Sequence, residues 1–194
     1  MGSTQRSPLR RCATRMPRSL TVRDDATALG MAGFVISLVE HDRPTAIEAF
    51  ESALTLSPSC SIALILGSIA MGWANEVERA LAWGERAVRL SPFDRLIFAA
   101  HIGLAVGHFA RDRYEEAVSA ARRAIQSNPG FSVAYWVLAA SLAALGRIPE
   151  AKIATAKVLA LSPNFTTAGT FAGVGAPATL AARFTETCRA AGLP

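Results

Sequence analysis

Tyr114-Glu-Glu-Ala-Val-Ser-Ala-Ala-Arg-Arg-Ala-Ile-Gln-Ser-Asn-Pro129 places an alanine, Ala117, twelve residues ahead of a proline. The same pair recurs as Ala46 with Pro58, Ala80 with Pro92 and Ala151 with Pro163. Successive prolines are 34, 37 and 34 residues apart. Two features held in phase over four cycles mark an internal repeat, and this period is that of stacked helical hairpins. Within the quoted stretch Tyr114, Ala117, Val118, Ala121 and Ile125 line one face at the helical period, with Glu115, Glu116, Arg122 and Arg123 opposite. The second cycle repeats the pattern with Val77, Leu81, Ala87, Val88 and Leu90 set against Glu78, Arg79, Glu85, Arg86 and Arg89.

Ahead of each amphipathic run stands an apolar one: Ala28–Val39, Ile62–Ala74, Leu96–Ala110 and Val133–Gly146, 12 to 15 residues long. A membrane span needs about 20 apolar residues, so these read as buried core helices. The polar breaks between runs are Glu40–Pro44, Asn75–Glu78, Arg111–Arg113 and Gly146–Pro149. Pro44 and Pro149 suit the first turn of a helix, and the phased prolines stop the second helix of each cycle. The expectation is eight helices in four antiparallel hairpins. In each, an apolar helix A is covered on several sides and a helix B is half exposed. The core is built from small and aliphatic residues, since 51% of the chain is hydrophobic but only 7% aromatic.

The residues resemble the tetratricopeptide (TPR) pattern W-x2-L-G-x2-Y, A-x3-F, P. The last cycle reads Tyr135-x2-Leu138-Ala139-x2-Leu142, Ala151-x3-Thr155 and Pro163. The third reads His101-x2-Leu104-Ala105-x2-His108, Ala117-x3-Ala121 and Pro129; the first supplies Ala46-x3-Phe50 and Pro58. No cycle carries the Trp, and Gly33 and Gly67 precede their alanines by 13 residues instead of 12. The resemblance implies an all-α, right-handed superhelix with repeats near residues 27–60, 61–94, 98–131 and 132–165. It also implies a non-catalytic scaffold that binds proteins, with helices A lining an inner groove. At the groove positions stand Ile62, Ile65, Ile69, Trp73, Ile102, Val106, Phe109, Val133 and Trp136. These predict a partner with apolar anchors, such as an amphipathic helix. Some TPR domains clamp an acidic C-terminus with lysines, but the two here, Lys152 and Lys157, lie on a helix B.

A narrower likeness covers residues 24–194. His101–Phe109, Tyr114–Ala117, Leu138–Leu142 and Ala191–Pro194 resemble the C-terminal TPR tail of bacterial multidomain proteins. In those proteins the tail follows a class III adenylate cyclase domain or a winged-helix DNA-binding domain. The likeness implies the tail's signalling or regulatory role; the cytoplasm is expected instead from three scattered cysteines that form no disulfide framework. The alternative is a C-terminal fragment of such an enzyme or DNA-binding regulator.

The net charge of +5 comes from residues 1–23, which hold Arg6, Arg10, Arg11, Arg15, Arg18 and Arg23 and no acid. Residues 1–25 read as a disordered leader; the composition also suits a nucleic-acid or anionic-lipid arm, or a transit peptide. Nucleic-acid contact is expected only there. Cys12, Cys60 and Cys188 form neither a disulfide framework nor a zinc spacing. His101 and His108 share a helix face with no third ligand beside them and read as core residues, so no metal is expected. Gly169-x3-Gly173-x-Gly175 follows a repeat end and not a strand, which argues against a phosphate cradle. With no P-loop, G-x-S-x-G or HExxH motif, neither catalysis nor a cofactor is expected. Residues 164–194 read as a Gly/Ala-rich loop (168–177) and a capping helix, Ala178–Ala190, with Leu180, Phe184 and Cys188 on one face. No such cap precedes Ala28–Val39, whose outer side then faces an interface, either a second copy or a partner subunit.

Overall fold

A computed structural model describes residues 25–193, so the basic leader lies outside the described residues. Four helical hairpins follow one another: α1 (Ala26–Val35) with α2 (Arg43–Leu56), α3 (Ser61–Trp73) with α4 (Val77–Leu90), α5 (Ile97–Ala110) with α6 (Tyr114–Ser127), and α7 (Ser132–Ala144) with α8 (Ile148–Leu161). Two further helices close the chain, α9 (Thr167–Val174) and α10 (Ala178–Ala190), and no strand occurs among the described residues. The stretch 168–177, expected as a loop, is therefore mostly helical. Thr166 caps α9, Gly175 ends it at φ 62°, and Phe171 anchors it.

Local chemistry sets the helix ends. Ser57, Ser91, Asn128 and Ser162 terminate helices B outside the helical region, with φ near −140° to −145°. The prolines that follow disfavour the helical region for the residue before them. Each of these residues then accepts a backbone hydrogen bond from the residue three further on, giving the same turn four times. After Ser91 a second turn is added, with Ile97 N–H bonded to the Asp94 carbonyl. That turn takes up the three extra residues of the 37-residue interval. Asp25 and Asp42 cap α1 and α2 by accepting from the amides of the first turn.

Ala46, Ala80, Ala117 and Ala151 are all fully buried on helices B, and the carbonyls of Ala46 and Ala80 meet Gly33 and the Ser68 hydroxyl of their own helix A. The longer Gly-to-Ala spacing resolves differently in the two cycles that show it. Behind α1 the chain widens into a π-helical turn, Ile36–Glu40, which absorbs one residue and keeps Gly33 against the Ala46 carbonyl. In the second hairpin no residue is absorbed. Ser68 takes the close-approach position instead of Gly67, and its hydroxyl donates to the Ala80 carbonyl at 2.8 Å.

Helices α3, α5 and α7 are buried along most of their length, while α4 and α6 bury one face. Gly103 lets α5 lie directly on the Ser68 backbone of α3. Ion pairs step from repeat to repeat, Arg79 with Glu51 at 3.0 Å and Arg147 with Glu115 at 3.5 Å. They are exposed and screened by solvent, so they align neighbouring repeats more than they stabilise them. Helix α1 has no helix on its outer side among the described residues. Met31, Val35 and Val39 stand there 55%, 53% and 72% exposed, one turn apart.

Candidate functional site

The sequence-predicted groove residues divide. Ile65, Ile69, Trp73, Ile102, Val106, Phe109 and Trp136 are buried in one cluster spanning α3, α5 and α7, with the half-buried Val133 packed against it. Ile62 does not join them. It packs against Ala53, Cys60 and Ala63 with Leu29, between the first two hairpins. Trp73 and Trp136, two repeats apart, meet in a stacked pair with centroids 5.2 Å apart and planes 13° from parallel.

This aromatic floor is covered by the chain itself. Phe184 of α10 sits on it with its ring centroid 4.0 Å from Phe109, 5.4 Å from Trp136 and 5.8 Å from Trp73. Phe171 of α9 meets Trp73 and Trp136 edge-on, and Phe165 meets Trp136 the same way. The Trp136 indole N–H donates to Cys188 Sγ at 3.1 Å, and burial pushes that thiol up to about 11. Leu180 is buried beside them.

Arg183 fixes the register. Its guanidinium donates to the carbonyls of Ala110 at 3.0 Å and Phe109 at 3.3 Å, the open C-terminal end of α5. It also pairs with Asp112, reaches the Tyr114 hydroxyl at 3.3 Å and lies 5.5 Å over the Phe109 ring. A cation at a helix C-terminus meets the negative end of the macrodipole, and one above an aromatic face meets its negative quadrupole. Burial and then the Tyr114–Asp112 hydrogen bond raise the Tyr114 pKa. The far end of the segment reaches the first hairpin, since α9 packs on the π-helical turn and Gly175 lies against His41.

Leu180, Phe184 and Cys188 do form the buried face of α10 that their spacing predicts. That face turns inward across three repeats, so α10 does more than cover the end of α8. Phe165, Phe171 and Arg183 carry no repeat signature that would have singled them out. His101 is buried and His108 half-buried, and the Nδ1 of each has no hydrogen-bond partner. Burial, assisted by Arg123 for His101 and by Arg113 for His108, lowers both pKa values and so favours the neutral rings. No group of three metal-ligating side chains occurs among the described residues.

Two family models, both described as Tetratricopeptide repeat, match residues 38–95 and 108–168. The chain carries tetratricopeptide repeats. No curated protein matches it. A crystal structure of a thermophilic TPR protein from Thermus thermophilus is similar in fold at 18% identity, with a TM-score of 0.55, covering 84% of this chain and 99% of that one. TPR repeats generally mediate protein–protein interaction. In this chain the aromatic residues Trp73, Phe109 and Trp136 of α3, α5 and α7 are packed against Phe184 of α10. No helix of the described residues is long and apolar enough to cross a membrane.

Proposed function

We propose that this chain is a non-catalytic interaction scaffold whose inner TPR face receives amphipathic helices with apolar anchors. One observation carries the reading. The Phe184 ring of α10 packs on Trp73, Phe109 and Trp136, with Leu180 buried in the same cluster, and these are the anchor types that a surface of Ile, Val, Trp and Phe would select. The test is capture of proteins on the immobilised full chain, repeated with folded Phe109→Ala and Trp136→Phe variants. A scaffold of this kind loses partners when the floor is altered, and retention of every partner by both variants refutes it.

The outer face of α1 is a second surface, and it suits a second copy of the chain. Residues 26–39 carry no charge, so a two-fold pairing of this face buries none, and Ala28 and Ala32 permit close approach. Light scattering at micromolar concentration then reports a dimer for the wild type and a monomer for Val35→Glu. A wild-type monomer refutes the pairing. The role as adaptor or tail of a signalling protein rests on the sequence likeness to cyclase- and winged-helix-linked tails. A catalytic or DNA-binding domain in the upstream reading frame would support it.

A further inference from the structure

The helices of the repeats and the helix in the groove are held by different chemistry. Repeat helices approach through small residues: Gly33 on Ala46, Gly103 on Ser68, Gly107 on Leu81 and Ala80. Helix α10 instead inserts large anchors. Phe184 enters an aromatic floor contributed by α3, α5, α7 and α9, and Arg183 plugs the carbonyl end of α5 beside Asp112. These contacts are made by side chains of one helix set between those of several others. The tether behind it is weak. Helix α9 contains two glycines and two threonines in eight residues, and it buries only Thr167 and Phe171. Such a sequence has little helix propensity of its own. Elements with few buried anchors open at lower free energy than the core.

We infer that α10 is a built-in ligand of the groove, displaced by a partner helix that presents Leu, Arg, Phe and a small apolar side chain in the register of Leu180, Arg183, Phe184 and Cys188. The inference rests on the reading of the groove as a helix-binding face. The arginine is part of the recognition. Its target is a cluster of acceptors, the Phe109 and Ala110 carbonyls with the Asp112 carboxylate, so a partner helix with an acidic residue at that place is rejected. While α10 is docked, the apparent affinity for a partner falls by the fraction of molecules in which the groove is open.

The test uses the full chain and a fluorescent peptide of residues 178–193, with binding read by anisotropy. An Arg183→Ala/Phe184→Ala chain is expected to bind the peptide at least tenfold more tightly than the wild-type chain. A peptide carrying Phe184→Ala is expected to lose that binding. Equal binding to both chains overturns the built-in ligand but leaves the groove as a helix site. Binding to neither folded chain overturns the groove reading as well. Hydrogen exchange on the wild type decides the matter independently of how the variant folds. The α10 amides are expected to exchange faster than those of α3 and α5, and equal protection would make α10 a core element and overturn the inference.

Discussion

Gly103→Ala tests how closely the repeats are built on backbone contact. A methyl at this position would stand 2.5 Å from the Ser68 carbonyl oxygen and nearer still to its carbonyl carbon and hydroxyl. The obstruction is main chain of α3, which has no rotamer to change. To restore ordinary contact, α5 must withdraw by about 1 Å, and a gap of that size forfeits about a quarter to a half of the dispersion well for the atoms lining it. Overpacking costs about 1–3 kcal/mol, and a backbone-on-backbone contact belongs at the top of that range. Replacing glycine in a helix returns about 1 kcal/mol. The net loss is about 2 kcal/mol, or about 4–8 °C in Tm for a chain of this length. Thermal melting followed by circular dichroism at 222 nm measures it. Ser68→Ala should not rescue the variant, because the carbonyl remains and the hydroxyl's bond to Ala80 is lost. Gly173→Ala in α9 is the control, with nothing within 4 Å of the added methyl. It should stabilise by about 0.5–1 kcal/mol. A Gly103→Ala chain that melts within 1 °C of wild type would refute the close-approach argument.

Phe93 is 97% exposed in the Ser91–Asp94 turn after α4, so Phe93→Ser should change stability by less than about 0.5 kcal/mol in urea unfolding. His101 and His108 have lowered pKa values when folded, so the unfolded chain binds more protons as pH falls below the ordinary histidine value of 6.5. Stability is therefore full above that pH and declines below it, and a folded His101→Leu chain should show a shallower fall in Tm between pH 7.5 and 5.5. Buried and pushed to about 11, the Cys188 thiol should react with iodoacetamide at pH 8 only as fast as α10 opens. Site-resolved mass spectrometry should then find Cys188 labelled faster in Phe184→Ala than in wild type, and equal rates would contradict it.

The repeat was legible in the sequence because its constraints are local and recur. A fully buried alanine recurs on every helix B, at Ala46, Ala80, Ala117 and Ala151. The residue before each phased proline must leave the helix, so hairpin ends were legible too. The 13-residue spacings were visible as an anomaly, but their physical resolution was not. A π-helical turn behind Gly33 and a serine in place of Gly67 answer the same count in different ways. Helix α9 was hidden because local propensity favours a loop, and the rings of Trp73 and Trp136 around Phe171 override it. The apolar face of α10 was legible; its destination was not. Periodicity shows that a face must be buried and says nothing of what buries it. Of the positions the repeat register assigns to a groove, Ile65, Ile69, Trp73, Ile102, Val106, Phe109 and Trp136 pack in one cluster, and Ile62 packs in another.

Segment 167–193 also changes what kind of object the solenoid is. In an open repeat array each unit touches only its neighbours, and stability is close to a sum of nearest-neighbour terms. Here one segment touches the turn behind α1, the aromatic residues of α3, α5 and α7, and the polar end of α5. Trp73 and Trp136 stack across an intervening repeat. The first and last hairpins are thus coupled through the groove as well as along the stack. Without α10, Trp73, Phe109 and Trp136 lose the Phe184 ring packed against them, and clusters of large apolar side chains are what soluble chains seldom leave uncovered. An empty groove is then the least favourable arrangement, and a helix of one origin or another belongs in it. Under the proposed exchange, replacing one helix by another would cost less than opening the groove and leaving it bare, and the residues that seat α10 would decide which partner is admitted.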